Sequence, residues 1–379
     1  MKTQIETYII DVIYGREKGW KAEVLRKVLF LFSKLYSVIV RLRLFLYNCG
    51  VFRKKTLGCL IISIGNITVG GTGKTPLVEM FARELTIGKR KVAVLSRGYK
   101  RKKHFSVKNL LSKEWWIHSP LVVSNGEKVM HGSKDAGDEP YMLAKNLSDV
   151  IILVDKNRVK SGSYAIENYG VDTLILDDGF QYLPLNRRLN IVLVDATNPF
   201  GNGHLLPRGI LREPLTHLSR ADIFFITKAD GRDTQDIKNR LRQYNERAEI
   251  VECCYEPMHL VEMYSNEHKE LSSIERKKVV AVTAIADPEG FESLIERLGG
   301  TIVTRYRYPD HHRFTHNEIE TVVETCKKTA DIILITEKDS VRFPILKDCS
   351  LPIAYLKVEV KIKSGALDFK DCVSRLCEY

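Results

Sequence analysis

The sequence lacks the cysteine patterns that mark disulfide-bonded secreted proteins and zinc sites. Its eight cysteines form no Cys-x-x-Cys pair, and none has a histidine partner at zinc spacing. Adjacent Cys253 and Cys254 are unusual, and a strand with one buried sulfur accounts for them. We therefore expect free thiols in a reducing compartment.

The sequence also lacks an uninterrupted apolar run long enough to span a bilayer. Its most apolar stretch, residues 20–52, is broken by Lys34, Arg41 and Arg43. No small-residue cleavage site follows, so this stretch is not interpreted as a secretory signal. Lys27, Lys34 and Arg41 recur every seven residues, which places them on one stripe of a largely apolar helix. We predict a helix at the interface of an anionic membrane, and the alternative is a helix packed on the protein body.

Acidic residues are outnumbered, since 59 Lys and Arg against 47 Asp and Glu give a net charge of +12. Residues 1–55 hold twelve basic and four acidic residues, so they carry eight of the twelve excess charges. Two basic runs, Lys89–Lys91 and Lys100–Lys103, flank a later strand. Such patches attract nucleic acid, anionic membranes or phosphorylated substrates, and charge alone does not select among them.

Alternating strand and helix patterns predict the fold. Short apolar runs rich in β-branched residues alternate with helical or loop segments up to about residue 230, which predicts a P-loop NTPase-like, doubly wound, mostly parallel α/β sheet. With 379 residues the chain can form two domains. We predict a membrane-associated N-terminal segment (1–55), a P-loop domain (56–260), a linker (261–278) and a smaller C-terminal α/β domain (279–379). The predicted strands are Leu60–Ile64, Val92–Leu95, Leu121–Val123, Val150–Val154, Thr173–Leu176, Ile191–Val194 and Ile223–Ile226.

A phosphate-binding loop follows the first of these strands. Residues 65–76 read Gly-Asn-Ile-Thr-Val-Gly-Gly-Thr-Gly-Lys-Thr-Pro and lead into a helix. The backbone N–H groups of such a loop cradle phosphates. Lys74 is expected to contact the β- and γ-phosphates and Thr75 to contact Mg²⁺. Thr68 stands where the usual pattern has glycine, so a glycine-rich turn without a ligand is the alternative. The predicted nucleotide-binding residues are Thr68, Val69, Gly70, Gly71, Thr72, Gly73, Lys74 and Thr75.

Paired carboxylates end a later strand. Asp177 and Asp178 follow a hydrophobic run downstream of the P-loop, which is typical of a Walker B site that holds Mg²⁺. Neighbouring side chains of a strand point to opposite sides, so one of the two is expected to contact the metal directly. An ordinary Asp-Asp-Gly turn is the alternative.

Three further segments carry candidate functional groups. Asp138 begins a predicted helix, where a carboxylate stabilises the helix start or could serve as a general base, and spacing alone favours the helix-start role. The Gly- and Pro-rich loop 198–214 is long enough to suggest function. Asp310 and His311 precede a helix that Thr315 caps, and they are either surface residues or partners in metal binding or proton transfer.

Together these motifs closely resemble those of the tetraacyldisaccharide 4'-kinase family, the lipid A 4'-kinases of Gram-negative bacteria, over nearly the whole chain. The motifs that carry the resemblance are Gly65–Pro76, Leu95–Tyr99, Gly137–Pro140, Asp177–Gln181, Pro199–Pro214, Asp310-His311 and Thr336–Asp339. Departures at Tyr182, Ile210 and Asp287 leave the finer substrate contacts and acyl-chain preference open.

The resemblance implies an ATP- and Mg²⁺-dependent kinase at the cytoplasmic face of the inner membrane. Its acceptor would be the 4'-hydroxyl of a tetraacyldisaccharide 1-phosphate, and neither nucleic acid nor an obligate protein partner is expected. The resemblance further implies that Asp138 is the base, that His311 orients it and that Lys74 acts on the transferring phosphoryl group. The residues that it associates with substrate are Arg97, Asn202, Arg208, Arg212 and Glu213.

Two alternatives come from other classes of protein. Thr227–Asp230 reads Thr-Lys-Ala-Asp, a degenerate form of the guanine-reading Asn-Lys-x-Asp of regulatory GTPases. Threonine in place of asparagine removes the amide that would contact the base, which weakens this interpretation. A basic, non-enzymatic adaptor would tolerate Lys74→Ala, and it leaves the order of the motifs unexplained.

Overall fold

The computed structural model describes residues 2–98, 119–346 and 349–378. Tyr99 and the basic run Lys100–Lys103, which enter two of the predictions above, lie outside these residues.

The described residues contain one thirteen-stranded sheet with the strand order β11-β10-β12-β13-β8-β7-β6-β1-β5-β2-β4-β3, and β9 pairs with β8. The pairs β3–β4, β8–β13 and β8–β9 are antiparallel and the others are parallel. Six of the seven predicted apolar runs lie within strands, the seventh begins one residue before β4, and the mostly parallel sheet is confirmed. The strands are β1 Leu60–Asn66, β2 Val92–Ser96, β3 Leu121–Asn125, β4 Ile151–Val154, β5 Thr173–Asp177, β6 Leu189–Asp195, β7 Ile223–Thr227, β8 Glu249–Glu262, β9 His268–Lys269, β10 Lys278–Thr283, β11 Thr301–Arg307, β12 Ile332–Thr336 and β13 Ile353–Ser364.

Helices cover both faces of this sheet, because each strand of a parallel pair needs a crossover connection. The α-helices of the described residues are α1 Lys2–Ile13, α2 Trp20–Asn48, α3 Lys74–Ile87, α4 Ser133–Ala136, α5 Asp138–Asn146, α6 Arg158–Tyr169, α7 Gln235–Tyr244, α8 Pro288–Arg297, α9 His316–Cys326, α10 Glu337–Ser340 and α11 Ala366–Cys377. Thr315 and Glu318 form the predicted capping box at the start of α9.

Two lobes share the sheet: a P-loop lobe around β1–β7 and a C-terminal lobe around β10–β12. The long antiparallel strands β8 and β13 belong to both, since Val251 of β8 lies in the core of the P-loop lobe and Leu260 of the same strand lies in the C-terminal core. The last helix, α11, returns to the P-loop lobe, where Phe369 packs edge-on against Phe81 of α3 at 5.2 Å between ring centroids. The division of the chain into domains therefore stays a prediction.

Helix α2 spans 29 residues, and its apolar side chains are largely exposed. Ala22 and Ser33 are its buried residues, whereas Trp20 and Leu31 expose 73% and 71% of their surface. None of the helices in the described parts of the chain is both long and apolar enough to cross a membrane. The predicted helix is confirmed, and its contact with a membrane stays a prediction.

Candidate active site

The P-loop connects β1 to α3 and is shaped by Gly73. Gly73 has φ +74°, and a Cβ there would lie 1.6 Å from the hydroxyl oxygen of Tyr255, so only glycine fits. That hydroxyl lies 3.0 Å from the carbonyl oxygen of Gly73 and 3.2 Å from that of Thr72, and it can donate to either. Burial raises the pKa of Tyr255 well above its usual value, so the phenol remains a hydrogen-bond donor. Tyr255 thus stabilises the P-loop by hydrogen bonding to its backbone carbonyl oxygens.

Lys74, the first residue of α3, points toward acceptors that a phosphate can replace. Its Nζ lies 3.4 Å from Asn66 Oδ1 and 3.5 Å from Asp178 Oδ1. Asn66 in turn donates from Nδ2 to Thr72 Oγ1 at 3.0 Å. The end of β1 and the acidic pair therefore orient the lysine.

The acidic pair lies beside the P-loop because β5 runs parallel to β1. Asp177 of β5 is in register with Ile64 of β1. The two segments then approach closely: a Cβ on Gly65 would lie 2.7 Å from the backbone nitrogen of Phe180. Ser96, at the end of β2, donates to Asp177 Oδ2 at 3.0 Å. The carboxyl ends of three strands therefore form one polar edge, where ligands of open parallel sheets bind.

The two carboxylates differ in their charge environment. Burial, together with the nearby carboxylates of Glu139 and Asp178, raises the pKa of Asp177 to about 6. Burial would also raise the pKa of Asp178, but Lys74 and Arg212 outweigh it and lower that pKa. Arg212 Nη1 lies 2.8 Å from both carboxylate oxygens of Asp178. Asp177 is consequently the carboxylate whose negative charge is poorly balanced by the protein.

Asp138 and His311 meet across the two lobes. Helix α5 begins at Asp138, as predicted, and His311 Nδ1 lies 3.1 Å from Asp138 Oδ2. Arg313 Nη2 donates to Asp138 Oδ1 at 3.0 Å, and Arg342 Nε lies 3.8 Å from Oδ2. Burial by itself would raise the pKa of Asp138, but the hydrogen bond from His311 and the charges of Arg342 and Arg313 hold it below its usual value. Asp138 is therefore ionised at neutral pH.

Lys338 links this pair to the acidic edge formed by Asp177 and Asp178. Its Nζ lies 3.4 Å from His311 Nε2 and 3.7 Å from carboxylate oxygens of both Asp310 and Glu139. Glu139 also acts electrostatically on Asp177. The Asp138–His311 pair and the acidic edge of the P-loop lobe therefore belong to one site.

The five residues associated with substrate do not all gather there. Arg212 binds Asp178, and Arg97 is exposed where β2 ends. Asn202 and Arg208 both donate to the carbonyl oxygen of Ile13, at 3.0 and 3.1 Å. Their substrate roles stay predictions.

Glu213, the fifth of these residues, is buried in an ion cluster. Its Oε2 lies 2.7 Å from His217 Nδ1 and also pairs with Arg220. A carboxylate held in this way fixes the position of the loop next to Arg212. The substrate role of Glu213 also stays a prediction.

Sequence reasoning missed three residues of this site: Tyr255, Arg313 and Arg342. Arg313 directly follows the Asp-His-His motif, so its position was a usable signal. Arg342 follows the Thr336–Asp339 motif by three residues and is buried, with Nη2 donating to Asp339 Oδ1 at 2.6 Å. Tyr255 lies in an apolar strand far from any motif, and no local signal marks it.

An anion cradle and an ionised carboxylate in one site can together pass a terminal phosphoryl group to a hydroxyl, so fold and site define a P-loop kinase. The comparison with protein families then specifies which one. Residues 25–377 match the model of LpxK, described as tetraacyldisaccharide-1-P 4'-kinase, and the chain belongs to this family. The resemblance drawn from the motifs is confirmed, and the match favours a kinase over the GTPase and adaptor alternatives.

Individual relatives agree with the family match. The chain is 33% identical to the tetraacyldisaccharide 4'-kinase of Halothermothrix orenii, with 99% of both chains covered. It is 36% identical to that of Syntrophus aciditrophicus, with 89% of both covered. Among solved structures, LpxK from Aquifex aeolicus in complex with ATP is similar, with 29% identity, a TM-score of 0.72, and coverage of 93% of this chain and 99% of that one.

Proposed function

We propose that this protein transfers the γ-phosphoryl group of ATP to the 4'-hydroxyl of a tetraacyldisaccharide 1-phosphate, as in lipid A biosynthesis. The observation that carries the proposal is the ionised Asp138, held by His311 at 3.1 Å, in the same site as the P-loop lysine. A sugar hydroxyl is a poor nucleophile, and a positioned carboxylate that accepts its proton is the usual solution in kinases.

Different residues accept the hydroxyl proton and stabilise the charge of the transferring phosphoryl group. Asp138 accepts the hydroxyl proton late in a loose transition state, and His311 and Arg313 hold its two oxygens in position. Lys74 leaves its contact with Asp178 to bind the phosphates and stabilises the charge that spreads over the transferring group. The backbone cradle around Gly73 would hold the phosphates of the donor.

The residues of the acidic edge suit Mg²⁺. The hydroxyl of Thr75 and the carboxylates of Asp177 and Asp178 are hard oxygen donors, which Mg²⁺ prefers. Burial and the carboxylates of Glu139 and Asp178 raise the pKa of Asp177, and the charge of Lys74 offsets them only in part. Thr75 and the acidic pair would therefore hold the ion. Of the two carboxylates, Asp177 is the one whose ionised form a bound cation would stabilise more. A bound Mg²⁺ would supply positive charge that neutralises the phosphates of the donor.

Helix α2 supports a location at the surface of an anionic membrane, on the cytoplasmic side where ATP is available. Its exposed apolar side chains would enter the interface, and its basic stripe would contact lipid head groups. Tyr36 of α2 donates to the carbonyl oxygen of Arg212 at 2.9 Å, so the helix is attached directly to the phosphate site. Acyl chains can therefore stay in the bilayer while the sugar reaches the cleft.

The test is direct transfer of label. The purified protein is incubated with Mg²⁺, γ-labelled ATP and a tetraacyldisaccharide 1-phosphate in detergent micelles, and label on the lipid is measured. We expect labelled lipid with wild type and none with Lys74→Ala. Replacing ATP with GTP tests the GTPase alternative, which predicts preferential use of GTP. A folded wild-type protein that binds ATP and transfers no label would overturn the proposal.

A further inference from the structure

The Thr336–Asp339 motif forms the turn from β12 into α10, and the proposed reaction does not yet account for it. Glu337 and Asp339 are buried, and the Thr336 side chain caps the helix by accepting from the backbone nitrogen of Asp339. Lys338 lies between the two buried carboxylates and is only partly buried. Its Nζ lies 3.4 Å from His311 Nε2, so the motif places a cation beside the ring that orients the proposed base.

The turn that carries Lys338 and the loop that carries His311 are fastened to the same residue, Ala284, which is completely buried. The backbone nitrogen of Ala284 donates to Asp339 Oδ2 at 3.2 Å. Its carbonyl oxygen accepts from the backbone nitrogen of His311 at 3.1 Å and from Arg342 Nη2 at 3.2 Å. These buried contacts therefore set the position of Lys338 relative to the His311 ring.

Hydrogen-bond chemistry determines which ring nitrogen of His311 bears a hydrogen. The ammonium group of a lysine has three donors and no acceptor, so Lys338 can only donate to Nε2. Nε2 is then the bare nitrogen of a neutral imidazole, and Nδ1 bears the hydrogen that is donated to Asp138 Oδ2 at 3.1 Å. A hydrogen on Nε2 would instead point at the ammonium group, which has no lone pair to accept it.

Charged groups from three elements lie at or next to the ring. They are Asp138 and Glu139 of α5, Asp310 and Arg313 of the loop after β11, Lys338 of α10 and Arg342 just after it. Asp138 lies 3.1 Å from Nδ1 and Asp310 lies 3.8 Å from Nε2, and two flanking carboxylates favour a doubly protonated imidazolium. Lys338 opposes this, because its ammonium group lies closer to Nε2 than Asp310 does and carries the opposite charge.

We propose that Lys338 is a positioning residue that keeps His311 neutral, with its single ring hydrogen on Nδ1, and thereby preserves the basicity of Asp138. The inference rests on the proposed function, in which Asp138 accepts the proton of the acceptor hydroxyl. Without the lysine, the ring would become an imidazolium in direct contact with Asp138 and would stabilise the ionised carboxylate. A carboxylate stabilised in this way is a weaker base and contributes less to proton transfer.

The neutral ring also defines the path of the proton. The O–H bond of the acceptor breaks and its proton goes to Asp138. The oxygen keeps the electron pair, which forms the bond to the γ-phosphorus as the bond from that phosphorus to ADP breaks. Because Nδ1 already bears a hydrogen, His311 orients the carboxylate and does not take this proton from it.

NMR of the full chain with ¹⁵N-labelled histidine tests the protonation of the ring at neutral pH. The signals of His311 are identified as those missing from His311→Gln. In wild type we expect a protonated Nδ1 and a bare Nε2, whereas Lys338→Met should show hydrogens on both nitrogens. Lys338→Arg keeps a cationic donor and should show the wild-type pattern. The matched control is Lys328→Met, the same change at an exposed lysine of the same lobe, and it should also show the wild-type pattern.

Kinetics of the same variants test whether the neutral ring matters for phosphoryl transfer. Lys338→Met should lower kcat about tenfold and leave KM for ATP near the wild-type value, because the base is weaker and the P-loop is untouched. Lys338→Arg should restore kcat. In the His311→Gln background, Lys338→Met should cause no further loss, since the lysine acts through the ring. A lysine with a merely structural role would produce neither the change of ring protonation nor this dependence on His311.

Several results would overturn the proposal. They are an imidazolium in wild type at neutral pH, an unchanged ring in Lys338→Met, a wild-type kcat in Lys338→Met, or a further loss of kcat in the double variant. The spectra do not depend on turnover. If they show the expected pattern but wild type transfers no label to the lipid, the proposed function fails and the protonation of His311 stands. If wild type transfers label and Lys338→Met matches it in ring protonation and kcat, the role of Lys338 is refuted and the proposed function stands.

Discussion

His311 Nδ1 lies 3.1 Å from Asp138 Oδ2, although 173 residues separate the two in the chain. Asp138 begins α5 beside the P-loop lobe, whereas His311 follows β11 of the C-terminal lobe. The contact exists only because β8 and β13 join the two lobes in one sheet. The orientation of the proposed base therefore depends on how the lobes are held together.

Replacing Asp138 tests the base directly. Asp138→Asn keeps the shape of the side chain but removes its capacity to accept a proton, so kcat should fall about 10²- to 10⁴-fold. ATP affinity, measured by titration, should stay near the wild-type value because the P-loop is untouched. Asp149→Asn is the matched control: Asp149 is exposed and has φ +64°, which asparagine tolerates. Normal turnover in Asp138→Asn would exclude this residue as the base.

Arg313 should control the pH dependence of the reaction. The rate depends on ionised Asp138, so it falls as pH drops through the pKa of this carboxyl, which lies below its usual value. Arg313→Gln removes a stabilising charge and should move the acid limb of kcat/KM to higher pH. The lowered pKa also stabilises the fold above the unfolded value of about 3.9, a contribution lost as pH falls through the folded pKa.

The control for this change is Arg375→Gln, an exposed arginine on α11. It should leave the acid limb in place. Coincident pH profiles for Arg313→Gln and wild type would show that Arg313 does not act on Asp138.

Gly73→Ala should abolish nucleotide binding. The added Cβ would collide with the Tyr255 hydroxyl, and φ +74° is strained for alanine. Tyr255→Phe is the milder change: it removes one buried donor to the loop carbonyls, and ATP should bind about five- to thirtyfold more weakly, as expected from about 1–2 kcal/mol. Gly132→Ala, at an open position with φ −80°, should bind ATP normally. Tight ATP binding by Gly73→Ala would contradict the described loop geometry.

Lys357 should be critical for stability. Its Nζ lies 2.6 Å from Glu337 Oε1 and 3.2 Å from Glu79 Oε1, in a nearly buried cluster that joins β13, α10 and α3. Lys357→Met leaves Glu337 without its cation and Glu79 with Arg83 alone, and it should lower the free energy of unfolding by about 3–5 kcal/mol in denaturant titrations. Lys361→Met on the same strand breaks only the exposed pair with Glu256 and should cost less than about 1 kcal/mol.

A triple variant tests the cause of that loss. Combining Lys357→Met with Glu79→Gln and Glu337→Gln removes the unpaired charges, so much of the stability should return. If Lys357→Met were no worse than Lys361→Met, the buried cluster would not be an ionised network.

Membrane binding should depend on the exposed face of α2. Leu31 and Leu35 are one helical turn apart and are 71% and 58% exposed. The double change Leu31→Asp/Leu35→Asp removes about 1.5–3 kcal/mol of interfacial burial per leucine, so binding to anionic vesicles should weaken at least about tenfold in sedimentation assays. Ile345→Asp, at a 77% exposed position of the C-terminal lobe, is the control and should sediment like wild type. Unaltered vesicle binding by the double variant would place the membrane contact elsewhere.

The sequence by itself determined the parts of this protein that follow from local rules. The glycine-rich turn after β1, the acidic end of β5, the helix start at Asp138 and the Thr315 capping box were all located from neighbouring residues. Each depends on backbone conformation or on strand and helix periodicity over a few positions, which short stretches of sequence specify.

Only the tertiary structure decided which distant groups meet. No local sequence pattern marks three of these contacts. They are the contact of Tyr255 with the P-loop, the position of Lys357 between two glutamates, and the return of α11 to the P-loop lobe. They depend on the order in which strands join the sheet, above all on the antiparallel β8–β13 pair that unites the lobes. Strand order is set by the packing of the whole chain, so residues that are far apart in sequence become neighbours only when the sheet is complete.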